Sequence, residues 1–265
     1  MTTATPPSVH GTVADGIATL TIDNPRRLNA MTLGMWDQLH RLVRDYGERE
    51  DVRVLVLRGA GERAFVSGAD ISEFGEQRDS PEQVARYGAA VHAAQASLSQ
   101  CAKPVVAAIR GICIGGGIGL ALACDLRYAS ASTRFRMPAA RLGLGYDLRS
   151  TRRMVEMLGA PRAVELFFTA RMFDGTEAER CGVVHRSFAD EIFEDELAGI
   201  VAGIAGNAPL TLRAAKLAVR HILAEPDAPD AASVEAAVQA CFDSEDYREG
   251  QQAFQDKRPP RFRGR

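Results

Sequence analysis

The first clear pattern along the chain is an alternation. "GIATLTIDNP" switches between apolar and polar positions and stops at Asn24-Pro25, which predicts a strand entering a turn. Further on, "TLGMWDQLHRLVRDYG" places Met35, Leu39, Leu42 and Val43 at helical spacing behind Thr32, the expected N-cap. "VRVLVLRGAG" is a β-branched run that ends in glycines and predicts a buried strand. A helix is expected from about residue 81 to 100. "PVVAAIRG" is the next buried strand, a glycine stretch leads into a helix ending near Cys124, and "DLRYAS" is another strand. Strands thus alternate with helices up to roughly residue 130, the mark of an α/β class.

Past about residue 150 the pattern becomes mostly helical, through "RSTRRMVEMLG", "PRAVELFFTA", "GTEAERCG" and "DEIFEDELAGIVAGIAG". Asn207-Ala208-Pro209 is a break, "EPDAPD" a polar turn, and a last helical stretch runs to about Asp256. There is no low-complexity segment and no fixed-period repeat.

Composition narrows the function classes. A net charge of -2 over 265 residues supplies no positive field for nucleic acid. No apolar run approaches the ~20 residues of a membrane span, and "MTTATPPSVHG" lacks the pattern of a secretory signal, so a cytoplasmic location is expected. Cys101, Cys113, Cys124, Cys181 and Cys241 are odd in number and widely spaced, with no CxxC pair, so they read as reduced thiols rather than metal ligands. His10, His40, His92, His185 and His221 sit in no sequence pairing that suggests a triad or a metal.

The chemistry concentrates in "CIGGGIGLALACD", residues 113–125. Three consecutive glycines open an apolar helix-like run, Gly119 follows one turn on, and no carboxylate appears before Asp125. The stretch lacks the GK[ST] ending of a P-loop, and no well-placed acidic residue supports a Rossmann reading. A tight strand-to-helix turn with no ligand accounts for the glycines as well as a site does.

Five pieces in order, "NPRRLNAMT", "RAFVSGADISEF", "KPVVAAIRGICIGGGIGLALACDLRYAS", "ARLGL" and "EGQQAFQDKRPPRF", resemble the enoyl-CoA hydratase/isomerase (crotonase) superfamily from about residue 10 to the end. The resemblance implies a spiral of ββα units, set here at residues 1–205, followed by a helical trimerisation region at 206–265. It implies an acyl-CoA thioester as ligand, a homotrimer or hexamer, and no cofactor or metal, coenzyme A being part of the substrate. It implies an oxyanion hole from the N–H groups of Ala69 and Gly116. Two such donors about 2.7–3.1 Å from a thioester oxygen stabilise the enolate formed at the α-carbon. A glycine lets the ligand approach the backbone, and the start of a helix adds its positive dipole end. For coenzyme A the resemblance points to Arg26, Arg27, Arg63, Ala69, Asp70 and Ile71, and to Phe254 and Lys257 in the tail.

The departures from the family matter as much. Its hydratases carry two glutamates where this chain has Gly119 and Ala139, and neither glycine nor alanine moves a proton. In "GLGYDLRS", Asp147 matches an aspartate of the family's dienoyl-CoA isomerases, and Tyr146 matches a tyrosine of its decarboxylase-like members. Asp147 is expected to act alone, with burial raising its pKa toward neutrality; equally, it caps the helix that follows. Three readings stay open: enolate chemistry with Asp147 as acid/base, a decarboxylase or hydrolase using Tyr146, and a non-catalytic acyl-CoA binding protein.

Overall fold

In a computed structural model, which describes residues 6–70, 80–223 and 228–265, the alternating run is β2 (Ile17–Asp23), with Ala18, Leu20 and Ile22 fully buried. It pairs antiparallel with β1 (Ser8–Ala14) around Asp15-Gly16. Both turn residues have positive φ, the hairpin geometry that fits the twist of the strands. Thr32 caps α1 (Leu33–Glu48) by accepting from the Met35 N–H, and the helix buries Met35, Trp36, Leu39 and Val43.

A three-part unit then repeats. β3 (Val54–Gly59) and β4 (Ala64–Val66) precede α2 (Pro81–Gln100). β5 (Val105–Ile109) and β6 (Ile112–Ile114) precede α3 (Gly116–Ala123). β7 (Leu126–Ser130) and β8 (Arg134–Arg136) lead through a short turn at Ala139–Arg141 to α4 (Leu148–Leu158). The first strand of each unit joins a large sheet and the second a small one, parallel to its predecessor. With β9 (Met172–Asp174) and β10 (Arg186–Phe188), the sheets run β1-β2-β3-β5-β7-β10 and β4-β6-β8-β9. This is the expected spiral of ββα units.

Glycine lets successive turns of the spiral nest. Gly111 has φ +69°, and a Cβ there would lie 2.2 Å from the Arg63 carbonyl, on the unit before. Leu55 and Leu57 of β3 enter the main core, while Val54 and Val56 meet Phe193, Leu197 and Val201 of α7 (Phe193–Gly206) on the other face. Cover on both faces explains why these strands read as unbroken apolar runs.

The remaining helices are α5 (Ala160–Thr169), α6 (Gly175–Arg180), α8 (Pro209–Ile222), α9 (Ala231–Asp243) and α10 (Glu245–Gln255). Lys216 pins α8 to the spiral, donating to Asp125 Oδ2 at 2.7 Å and to the Lys103 carbonyl at 3.2 Å. Among the described residues no single helix is long and apolar enough to cross a membrane.

Candidate active site

The "NPRRLNAMT" turn is stitched onto "VSGAD". Ser67 donates its N–H to Leu28 O and its hydroxyl to Arg27 O, Met31 N–H donates to Gly68 O, and Asp70 N–H donates to Met31 O. Asn29, buried and at φ +56°, braces this turn by donating Nδ2–H to the Ala64 and Ala60 carbonyls. Met31 and Ala69 thus form a parallel bridge whose bonds run through the neighbours of Ala69. The Ala69 N–H is thereby directed away from Met31.

Gly116 opens α3, so its N–H has no partner within the helix. A Cβ on Gly116 would lie 3.7 Å from the Trp36 ring and 3.9 Å from Gly68 Cα, which brings the two motifs into contact. Each donor follows a left-handed glycine, Gly68 at φ +114° and Gly115 at φ +53°. A side chain at either would strain the peptide that carries the N–H. Trp36 is itself fixed, donating its indole N–H to Tyr87 Oη at 2.8 Å, and Tyr87 donates in turn to Met31 O. Trp36 and Tyr87 therefore brace both N–H groups, through contacts between residues far apart in the chain.

Arg26 and Arg27 are exposed on the turn beside Ala69, and Arg63 is exposed just before β4. Asp70 is 6% exposed, so its carboxylate is held inside the protein rather than offered to solvent. Ile71 lies outside the described residues. Phe254 and Lys257 sit in the tail. Phe254, 86% exposed, lines the rim of an apolar cavity of about 700 Å³ together with Leu210 of α8, Phe242 of α9 and Phe262.

Two expectations about Asp147 need correction. Asp147 does not stand alone: His92 Nε2 on α2 lies 3.2 Å from its Oδ1. The histidine is thus paired across the fold, though the sequence offered no partner. Nor is the carboxyl raised toward neutrality. Partial burial pushes it up, but hydrogen bonds from the Ser150 N–H, the Ser150 hydroxyl and His92 outweigh that effect and hold it below the ordinary range. The capping alternative holds as well, since Asp147 is the N-cap of α4, accepting from Ser150 N–H at 2.9 Å. Tyr146 packs edge-on against Phe167 at 5.0 Å. Burial, with the Asp147 charge beside it, pushes its phenol up to about 12, so it stays neutral and is a poor base.

Gly119 lies on α3, and Ala139 in the turn that follows β8. Ala139 is buried in the short turn. At Gly119 a Cβ would come within 2.7 Å of Gln95 Nε2, so the amide of Gln95, from α2, lies over the bare backbone of α3. Among the described residues no group of three or more His, Cys, Asp or Glu side chains is placed to hold a metal.

This geometry is that of a crotonase-fold protein, and the comparisons agree. The enoyl-CoA hydratase/isomerase family profile matches residues 12–265. The chain is 34% identical over 257 residues to the peroxisomal Delta(3,5)-Delta(2,4)-dienoyl-CoA isomerase of Arabidopsis thaliana, covering 92% of this chain and 91% of that protein. It is 31% identical over 243 residues to the short-chain-enoyl-CoA hydratase of Clostridium acetobutylicum, covering 91% and 92%. The crystal structure of an enoyl-CoA hydratase/carnithine racemase from Magnetospirillum magneticum superposes with a TM-score of 0.92, at 32% identity over 97% of this chain and 96% of that one. The chain belongs to the enoyl-CoA hydratase/isomerase family.

Proposed function

We propose that this protein acts on an acyl-CoA thioester by stabilising its enolate between the N–H groups of Ala69 and Gly116, with proton transfer served from the Asp147 end of the site. The observation that carries this reading is the pairing of two donors, each set by a left-handed glycine, at one contact between motifs. Neither Gly119 nor Ala139 offers the site a carboxylate, and the nearby loop supplies Asp147 instead. Leu142, Leu144 and Leu148 expose apolar surface around Tyr146 and Asp147, which suits an acyl chain. Arg26, Arg27 and Arg63 suit the phosphates of coenzyme A, whose oxygens accept charge-assisted hydrogen bonds. The exposed Ile222 and Phe254 suit burial between subunits of a homotrimer.

The reaction this favours is isomerisation or a related shift of a proton along the acyl chain. Hydration needs a second acid/base group on the water, and none is supplied by residues 119 and 139. The test is incubation in deuterium oxide with a panel of saturated and unsaturated acyl-CoAs, read by mass spectrometry. Deuterium is expected in the acyl chain of at least one of them. Crotonyl-CoA hydration is expected to fall at least ~100-fold below the roughly 10 s⁻¹ of a typical enzyme. Binding without exchange for every acyl-CoA would move the protein to the binding-only reading, and fast hydration would refute the assignment of the empty positions.

A further inference from the structure

We propose that His92 is the residue that carries the proton, and that Asp147 is the positioning residue for it. The inference rests on the enolate reading above and deepens it. His92 and Gln95 are three residues apart on α2, so they share one face of that helix. Gln95 fixes where that face lies, because its amide covers Gly119, one turn along α3 from the donor Gly116. His92 is the next group on the same stripe, and its Nε2 meets Asp147 at 3.2 Å. One stripe of α2 therefore runs from the glycine helix to the Asp147 loop.

Asp147 is poorly suited to carry the proton itself. Its carboxylate is committed to Ser150 N–H at 2.9 Å, to the Ser150 hydroxyl at 2.8 Å and to His92. Those same contacts keep it charged, and a charged acceptor places the imidazole proton on Nε2. Nδ1 is then left with its lone pair, the arrangement of a general base oriented by a carboxylate. The side chain of His92 is 28% exposed, open enough for a ligand to reach yet held on one side by its partner.

In the step this implies, an acyl C–H bond breaks and its proton passes to Nδ1 of His92. The electron pair moves into the chain, and the charge collects on the thioester oxygen between the Ala69 and Gly116 N–H groups. The resulting imidazolium returns the proton to a different carbon of the conjugated enolate. Atoms and charge balance, and no further reactant is needed.

The test compares the parent with His92→Gln, His92→Ala and Asp147→Asn in the same deuterium exchange assay, with acyl-CoA affinity measured in parallel by calorimetry. His92→Gln keeps the volume and a donor for Asp147 but carries no proton, so a structural role would survive it. Exchange is expected to fall at least ~100-fold in His92→Gln, with affinity within about threefold of the parent. In His92→Ala, added imidazole is expected to restore part of the lost rate. Asp147→Asn is expected to lower exchange about tenfold at unchanged affinity and to remain responsive to pH. A parent that exchanges while His92→Gln keeps more than a third of its rate would overturn the role of His92 and leave the enolate reading standing. A parent that binds acyl-CoA but never exchanges would overturn both.

Discussion

Ala69 and Gly116 on one side of the site, and His92 and Asp147 on the other, are held by different means. The first pair are backbone groups. Their directions are set by the Met31 bridge, by two left-handed glycines and by a helix start packed under Trp36. Moving either N–H means moving the core. The second pair are side chains at the surface, 28% and 48% exposed, joined by one contact between α2 and the start of α4. They can be exchanged with little cost to the fold. On the proposed reading, polarising the carbonyl would be a property of the fold, while moving the proton would be a property of a few replaceable side chains.

Two neighbouring glycines break this comparison most severely. A Cβ on Gly117 would lie 2.4 Å from the Val66 carbonyl, where backbone meets backbone and neither yields. Gly117→Ala is expected to cost about 2–3 kcal/mol in urea unfolding. Gly116→Ala meets nothing nearer than 3.7 Å and is expected to stay within about 0.5 kcal/mol of the parent. Equal losses in both would mean that the glycines share one purpose and that the nesting of α3 on β4 has been misjudged.

Much of the backbone half was legible in the sequence. Thr32, the strand at Val54–Gly59 and the helix at Pro81–Gln100 each carried a local signal of spacing, branching or capping. The small sheet did not, because strands of three residues such as Ala64–Val66 and Ile112–Ile114 are too short to show a period. The resemblance to the family supplied them. The side-chain half was legible only as an absence at Gly119 and Ala139. His92, Gln95 and Asp147 come together because α2 lies across α3 and the start of α4, and helix packing of that kind leaves no mark on spacing along the chain. The expected rise of the Asp147 pKa failed for a related reason: its hydrogen-bond partners, one of them distant in sequence, outweigh its burial.

A smaller effect sharpens the other side. Asn caps a helix about as well as Asp, and Asp147 is substantially exposed, so Asp147→Asn is expected to lower stability at pH 7 by less than about 1 kcal/mol. The sign with pH is fixed. The folded-state pKa of Asp147 lies below its unfolded value of roughly 3.9, so its contribution is complete above that range and is lost as pH falls through the folded value. Melting curves of parent and variant should converge on acidification, and a gap that widens in acid would mean the shift has the opposite direction.

Whether Ala69 and Gly116 polarise a thioester carbonyl is read directly by isotope-edited infrared spectroscopy. An acyl-CoA carrying ¹³C at the thioester carbon is bound to the parent and to Gly115→Ala, where a side chain at φ +53° strains the peptide that carries the Gly116 N–H. The C=O stretch is expected at lower frequency on the parent than in water, and back toward the water value on the variant, with the ligand bound in both. A carbonyl stretch on the parent that matches the free thioester would contradict that polarisation.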